Sequence, residues 1–159
     1  MEEEAPDFMR DIANFHEKFG IAYEGRPRAL PVEIGHFRSI FMQEELDEYK
    51  THRDLLLSIF GDERTNQLDE ADITHHLEEQ MDALLDLAYV LFGTAYLHGF
   101  SRNRFYEGWR RVHERNMAKV RAGSAADSKR GSAFDVIKPP GWFPPKHTDL
   151  VEDHVHRAV

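Results

Sequence analysis

FRSIFMQEELDEYKTHRDLLLSI, residues 37–59, holds no proline or glycine, and its apolar residues recur every three to four positions. That is the period of one face of an α-helix. The pattern begins at Val32 and runs to about Ile59, with Gly61 as its stop. At about 100° per residue, one face collects Ile34, Phe37, Phe41, Glu44, Glu45, Glu48, His52, Leu55, Leu56 and Ile59. The face is apolar at both ends and triply acidic in the middle. Glutamate-rich helices are usually solvated, and an EExxE spacing is common, but a solvated face is not bracketed by Phe and Leu. Burying one ionised carboxylate without a partner costs several kcal/mol, and three together repel one another. A divalent cation relieves both penalties. Carboxylate oxygens suit hard ions such as Mg²⁺ or Mn²⁺ over zinc.

One helix cannot complete such a site, so a second acidic helix is expected. It runs from about Ile73 to His98 and is closed by Gly99. Glu78, Glu79, Asp86 and Tyr89 lie within about 60° of Asp82 on it. Leu77, Met81, Leu84, Leu85, Leu87, Leu91 and Phe92 surround them. From Leu84 onward the helix is apolar almost all round, which predicts burial, either centrally or in a subunit interface. Glu44, Glu45 and Glu48 facing Asp82 and Asp86 would make a cage for one to three cations.

Two further helices are expected. In DFMRDIANFHEKFG, Phe8, Ile12, Phe15 and Phe19 repeat at helical spacing before Gly20. IAYEGRPRALP is broken by proline and glycine into a loop, and GDERTNQLDEAD is turn-like. SRNRFYEGWRRVHERNMAKV reads as a helix with Ser101 as N-cap. After Val120 the chain turns rich in Gly, Ser and Pro, and the prolines forbid a continuing helix, which predicts an extended tail. The expectation is an all-α four-helix bundle over residues 1–120, with residues 121–159 as a tail packed on the same domain.

Composition narrows the function. A chain of 159 residues at 41% hydrophobic content can build a core without staples. Its 29 acidic and 20 basic residues leave a formal charge of −9, opposite to that of a nucleic-acid binder, so neither nucleic acid nor an anionic membrane surface is expected as partner. With no cysteine, disulfides, thiolate zinc sites and cysteine nucleophiles are excluded. MEEEAPDF lacks an apolar run, so no secretory leader is expected, and a cytoplasmic location follows as the expectation.

Basic residues gather after residue 100, in WRRVHERNMAKVR and SKRGSAFDVIKPP. A phosphate group held on one side by a cation needs Lys, Arg or Asn donors on the other. Asn116 and Lys119, spaced i, i+3, suit that role on one helix face, whereas Arg110, Arg111 and Arg115 fit a solvated face. Phe15, Phe19 and Tyr23 could stack on a nucleobase, although aromatic residues at such spacing are more often core, and Trp142 could close over the site.

In order along the chain, EELDE (44–48), EEQMDALLDLAYVLFGTAYLHGF (78–100), VHERNMAK (112–119) and VIKPPGWFPP (136–145) resemble the motifs of the all-α nucleoside triphosphate pyrophosphatase superfamily. Its members are the MazG-like and phosphoribosyl-ATP pyrophosphohydrolase-like proteins, and the tail resembles the dUTPase-like branch. The second family motif, ExxD, fits imperfectly. Glu79 and Asp82 satisfy the spacing, but alignment from the glycine that ends the helix places the Asp on Asp86 and the Glu on Ala83.

The resemblance implies a Mg²⁺- or Mn²⁺-dependent hydrolase that cleaves a nucleoside triphosphate between its α- and β-phosphates. It implies Glu44, Glu45, Glu48, Asp82 and Asp86 as metal ligands, with Glu79 as an outer or alternative one, and Glu45 and Glu48 as the catalytic pair. Asn116, Lys119 and Lys138 would bind the phosphates. The tail points to a pyrimidine deoxynucleotide such as dUTP or dCTP, with a phosphoribosyl-ATP pyrophosphohydrolase-like step as the alternative. A homodimer or homotetramer is also implied.

Other classes fare worse. A di-iron carboxylate bundle needs two Glu-x-x-His pairs, and only EIGH (33–36) fits outright, with DITH (72–75) a poor second. No HExxH, adjacent His-Asp pair or P-loop is present, and neighbouring His75 and His76 are expected to point apart. A non-catalytic helical dimerisation module would explain the leucines of the third helix but not its acids.

Overall fold

The structure, a computed structural model, describes residues 6–61 and 70–155. It is all-α, with four helices. They are α1 (Phe8–Lys18), α2 (Val32–Gly61), α3 (Glu70–Leu97) and α4 (Arg102–Met117), followed by the two-residue strands β1 (Val120–Arg121) and β2 (Val136–Ile137). The turn expected in GDERTNQLDEAD falls on 62–69, outside the described residues, as does the side chain of Ile59. No single helix among the described residues is long and apolar enough to cross a membrane.

The chain divides into two compact units, one running to Gly99 and taking back Val155, the other Phe100–His154. In the first, α1 starts where the Asp7 carboxylate accepts from the Arg10 N–H at 3.3 Å. It stops at Gly20, whose φ of +70° is left-handed, while Ile21 N–H donates to the His16 carbonyl at 2.9 Å. The residues α1 buries are Met9, Ile12 and His16. Burial of Ile12, 1% exposed, contributes about 2–3 kcal/mol. The expected Phe stripe lies at the edge of that contact instead. Phe8 stacks on Phe92 at 5.5 Å, Phe15 meets Tyr89 edge-on at 5.4 Å, and all three phenylalanines keep exposed surface.

α3 begins at Glu70, earlier than the expected Ile73, and Glu70 and Asp72 in its first turn favour that end of the helix dipole. Gly99, at φ +76°, turns the chain so tightly that a Cβ there would lie 2.6 Å from the Arg26 carbonyl oxygen. Arg28 fastens this corner: its N–H donates to the His98 carbonyl at 2.9 Å and its Nε to the Leu97 carbonyl at 3.1 Å. Of the two expected burials of α3, centrally or in a subunit interface, the single chain achieves the central one only in part. Ala83, Val90, Ala95, Tyr96 and Leu97 are buried, but Leu77, Met81, Leu84, Leu85 and Leu91 are exposed. One α2 and one α1 cover only part of a helix that is apolar all round.

In the second unit α4 follows Ser101, which occupies the N-cap position without a side-chain cap bond. Two of its arginines are hydrogen-bonded to the tail. Arg104 bonds both Asp153 oxygens at 2.7 Å, and Arg111 both Asp149 oxygens at 2.7 Å. The tail is extended, with short 3₁₀ turns at Ala125–Asp127 and Thr148–Leu150, and β1 and β2 pair antiparallel in the register Val120↔Ile137.

Candidate active site

Because Glu44, Glu45 and Glu48 occupy adjoining positions on one face of α2, their carboxylates are presented together, and α3 supplies Asp82 and Asp86. Glu45 is the focus, only 9% exposed. Burial, then the charges of Asp86, Glu48, Glu44 and Asp82 in that order, push its carboxyl above the usual range. The structure therefore brings all five expected ligands into one electrostatic cluster. The expectation of three buried glutamates is corrected: Glu44, Glu48, Asp82 and Asp86 are exposed. Exposure lets those four keep hydration while unpaired, so only Glu45 bears the full cost of desolvation.

None of the five has a cationic partner among the described residues. Elsewhere acids are paired: Asp47, on another face of α2, bonds Lys50 at 2.8 Å, and Glu107 is held down to about 2 by Arg110 and then Arg111. The arrangement is a set of oxygen donors short of positive charge, and it fits a hard divalent cation. Glu79 stands apart. It faces His52 Nε2 at 3.8 Å and His75 Nδ1 at 3.6 Å, and is not among the charges acting on Glu45.

Beside the cluster lies a cavity of about 280 Å³, with Asp86 in its lining. Phe15, Phe41 and Tyr89 give it aromatic walls; Arg38 and His16 supply polar groups. Phe15 thus lines this cavity, and Phe19 and Tyr23 are not part of its lining. Arg38 is 9% exposed; its Nε donates to Thr94 Oγ1 at 3.0 Å and its Nη2 to the Val90 carbonyl. Among the described residues it has no carboxylate partner, and burial lowers its pKa. His16 is 2% exposed and its Nδ1 contacts the Ile12 carbonyl oxygen at 2.8 Å, while Nε2 is buried without a hydrogen-bond partner. Burial, and less so the charge of Arg38, holds its pKa down and so favours the neutral ring.

Sequence reasoning passed over both polar groups. A signal existed for Arg38, which lies seven residues before Glu45 and so on the same helix face. His16 lies four residues after buried Ile12, but nothing in the sequence distinguishes it from the other nine histidines.

The remaining expected residues belong to the second unit. Asn116 is exposed in the last turn of α4. Lys119 is not on that helix, as its spacing implied: α4 ends at Met117, and Lys119 N–H donates to the Asn116 carbonyl at 3.1 Å. Lys119 directly precedes β1 and Lys138 directly follows β2, so the pair Val120↔Ile137 brings both lysines to the same end of the clip. Their ammonium groups lie 5.9 and 4.5 Å from the Trp142 ring centre, and the indole N–H donates to the Arg115 carbonyl at 2.8 Å. Arg110 and Arg111 are taken up by Glu107, Glu114 and Asp149, whereas Lys119 and Lys138 have no carboxylate partner among the described residues.

Residues 12–116, well over half the chain, match the family model described as phosphoribosyl-ATP pyrophosphohydrolase. No curated protein sequence matches the chain.

Proposed function

The chain belongs to the phosphoribosyl-ATP pyrophosphohydrolase family, and from that membership we propose that it hydrolyses a nucleoside triphosphate between the α- and β-phosphates. Water adds to phosphorus, the bridging P–O bond breaks, and a monophosphate and pyrophosphate leave. One observation carries the reading: four charged carboxylates converge on buried Glu45 with no cation among the described residues to balance them.

Glu44, Glu45, Glu48, Asp82 and Asp86 are the groups that would hold Mg²⁺ or Mn²⁺. When bound, such an ion supplies neutralisation of phosphate charge and a more acidic water. The chain's own groups do the rest. Glu45, with its raised proton affinity, and Glu48, open to solvent, are the acceptors for the proton of the attacking water. Phe15 and Tyr89 offer ring faces to a base, and the Arg38 guanidinium and the Nε2 of His16 offer it polar contacts. Asn116, Lys119 and Lys138 serve as phosphate donors, each lysine steadied on Trp142.

Two substrates have support. The tail VIKPPGWFPP favours a pyrimidine deoxynucleotide such as dUTP or dCTP, and the family match favours phosphoribosyl-ATP. Exposed Leu77, Met81, Leu84 and Leu85 on α3 support assembly as a homodimer or homotetramer, checked by light scattering behind size exclusion. The deciding assay is pyrophosphate release from a nucleotide panel that includes dUTP, dCTP and phosphoribosyl-ATP, with Mg²⁺, Mn²⁺ or EDTA. Metal-dependent release is expected, and the ranking names the substrate. Indifference to EDTA, with no turnover of any member, would leave a helical dimerisation module as the reading.

A further inference from the structure

One turn beyond Glu48 on α2, His52 faces a histidine pair on α3. The rings of His52, His75 and His76 lie mutually close, with centroids 5.9, 5.4 and 5.2 Å apart. Adjacent residues on a helix ordinarily diverge, so the meeting of His75 and His76 over one partner is the unexpected element. One nitrogen from each of the three lies within 4.8 Å of the other two.

The contact between His52 and His76 is informative. Their Nδ1 atoms stand 3.1 Å apart. Two nitrogens each about 2.1 Å from one ion, at tetrahedral or right-angle geometry, are about 3.0–3.4 Å apart. The outer nitrogens are also provided for. Glu79 faces Nε2 of His52 at 3.8 Å and Nδ1 of His75 at 3.6 Å. A metal-bound histidine commonly turns its second nitrogen to a carboxylate, which orients the ring and raises its basicity. His75 then has Nε2 free for an ion.

We propose that His52, His75 and His76 form a transition-metal site, oriented by Glu79 and separate from the five-carboxylate cluster. Three imidazoles select a zinc-class dication (Zn²⁺, Ni²⁺, Co²⁺ or Cu²⁺), whereas the carboxylate cluster selects Mg²⁺ or Mn²⁺. The two sites meet at Glu48, which also comes within 4.8 Å of His52 and Glu79. A bound ion ties α2 to α3 on either side of the segment that connects them. The inference does not depend on the pyrophosphohydrolase reading.

The test uses the full chain without a histidine tag, stripped by EDTA, desalted, and given excess Mg²⁺ to occupy the carboxylates. Co²⁺ is then added and its visible absorption followed; a parallel Cu²⁺ sample is read by electron paramagnetic resonance for nitrogen couplings. One equivalent bound by several nitrogens is expected. His52→Ala and His76→Ala should abolish it, and Glu79→Gln should weaken it about 10–100-fold. Glu45→Gln and the remote His36→Ala and His113→Ala should leave it intact. Helicity by circular dichroism accompanies each variant, and the more exposed His75→Ala serves if His52→Ala fails to fold. Binding lost in Glu45→Gln but kept in His76→Ala, or only oxygen-type spectra, would overturn the proposal. So would no Co²⁺ binding at all.

Discussion

Gly93 sits in α3 where a methyl group has nowhere to go. A Cβ built there would lie 2.7 Å from Arg38 Nη2 and 3.2 Å from His16 Cε1, against 3.4 Å or more in ordinary contact. Gly93→Ala must therefore push the Arg38 guanidinium by about 0.7 Å, from 2.7 Å out to the 3.4 Å of ordinary contact. The push strains or breaks the Nη2 bond to the Val90 carbonyl. Overpacking costs about 1–3 kcal/mol, and a lost charge-assisted bond about 1.5–3 kcal/mol. Against these, alanine is favoured over glycine in a helix by about 1 kcal/mol. The steric terms win, with a net loss of about 1.5–5 kcal/mol, which for this chain length lowers Tm by roughly 3–20 °C. Thermal and urea melts followed by circular dichroism measure it. In an Arg38→Met background the same substitution should cost far less, since the clashing atom is gone. A Gly93→Ala protein melting within a degree or two of the parent, or an unchanged cost in the Arg38→Met background, would refute this account of how Arg38 is held.

Glu45→Gln should lower pyrophosphate release about 10²–10⁴-fold while the metal-free protein melts no lower than the parent. The sign follows from the raised pKa: the folded state holds this proton more tightly than the unfolded chain, so the metal-free parent gains stability as pH falls toward 4.5, and Glu45→Gln lacks that gain in pH-dependent melts. Arg111→Ala should destabilise at neutral pH. Glu107, held to about 2 by Arg110 and Arg111, and Asp149, lowered by Arg111, contribute above their ordinary pKa values, so the Tm gap should close as pH falls from 4.5 toward 2. Trp142→Ala removes the ring beneath Lys119 and Lys138, and KM should rise several-fold with helicity unchanged.

Local period and breakers made the helices legible. Gly20 and Gly99 end α1 and α3 as expected, and Gly61 is the last residue of α2. What a helix faces is not local information. Phe8, Phe15 and Phe19 share a period with Met9, Ile12 and His16, and only the approach of α3 selects the second set for burial. The acids of α2 and α3 were readable as a pair, but the degree of burial was not, because it depends on how far two helices part at Glu45. Arg38 was hidden by its residue type, since an arginine seldom reads as core. The placement of Lys119 failed for a simpler reason: no proline or glycine marks the end of α4 at Met117.

The strand pair β1–β2 has a consequence for how this chain tolerates change. Residues 122–135 leave and re-enter at a fixed two-residue clip, held within by Ser124–Asp127 and Ser128–Asp135 contacts. Lengthening such a loop raises its closure cost slowly, by about 0.6 kcal/mol per doubling. The excursion can grow, shrink or accept a grafted peptide while Lys119 and Lys138 stay at the same end of the clip. That makes it the natural place to attach a reporter or a tether.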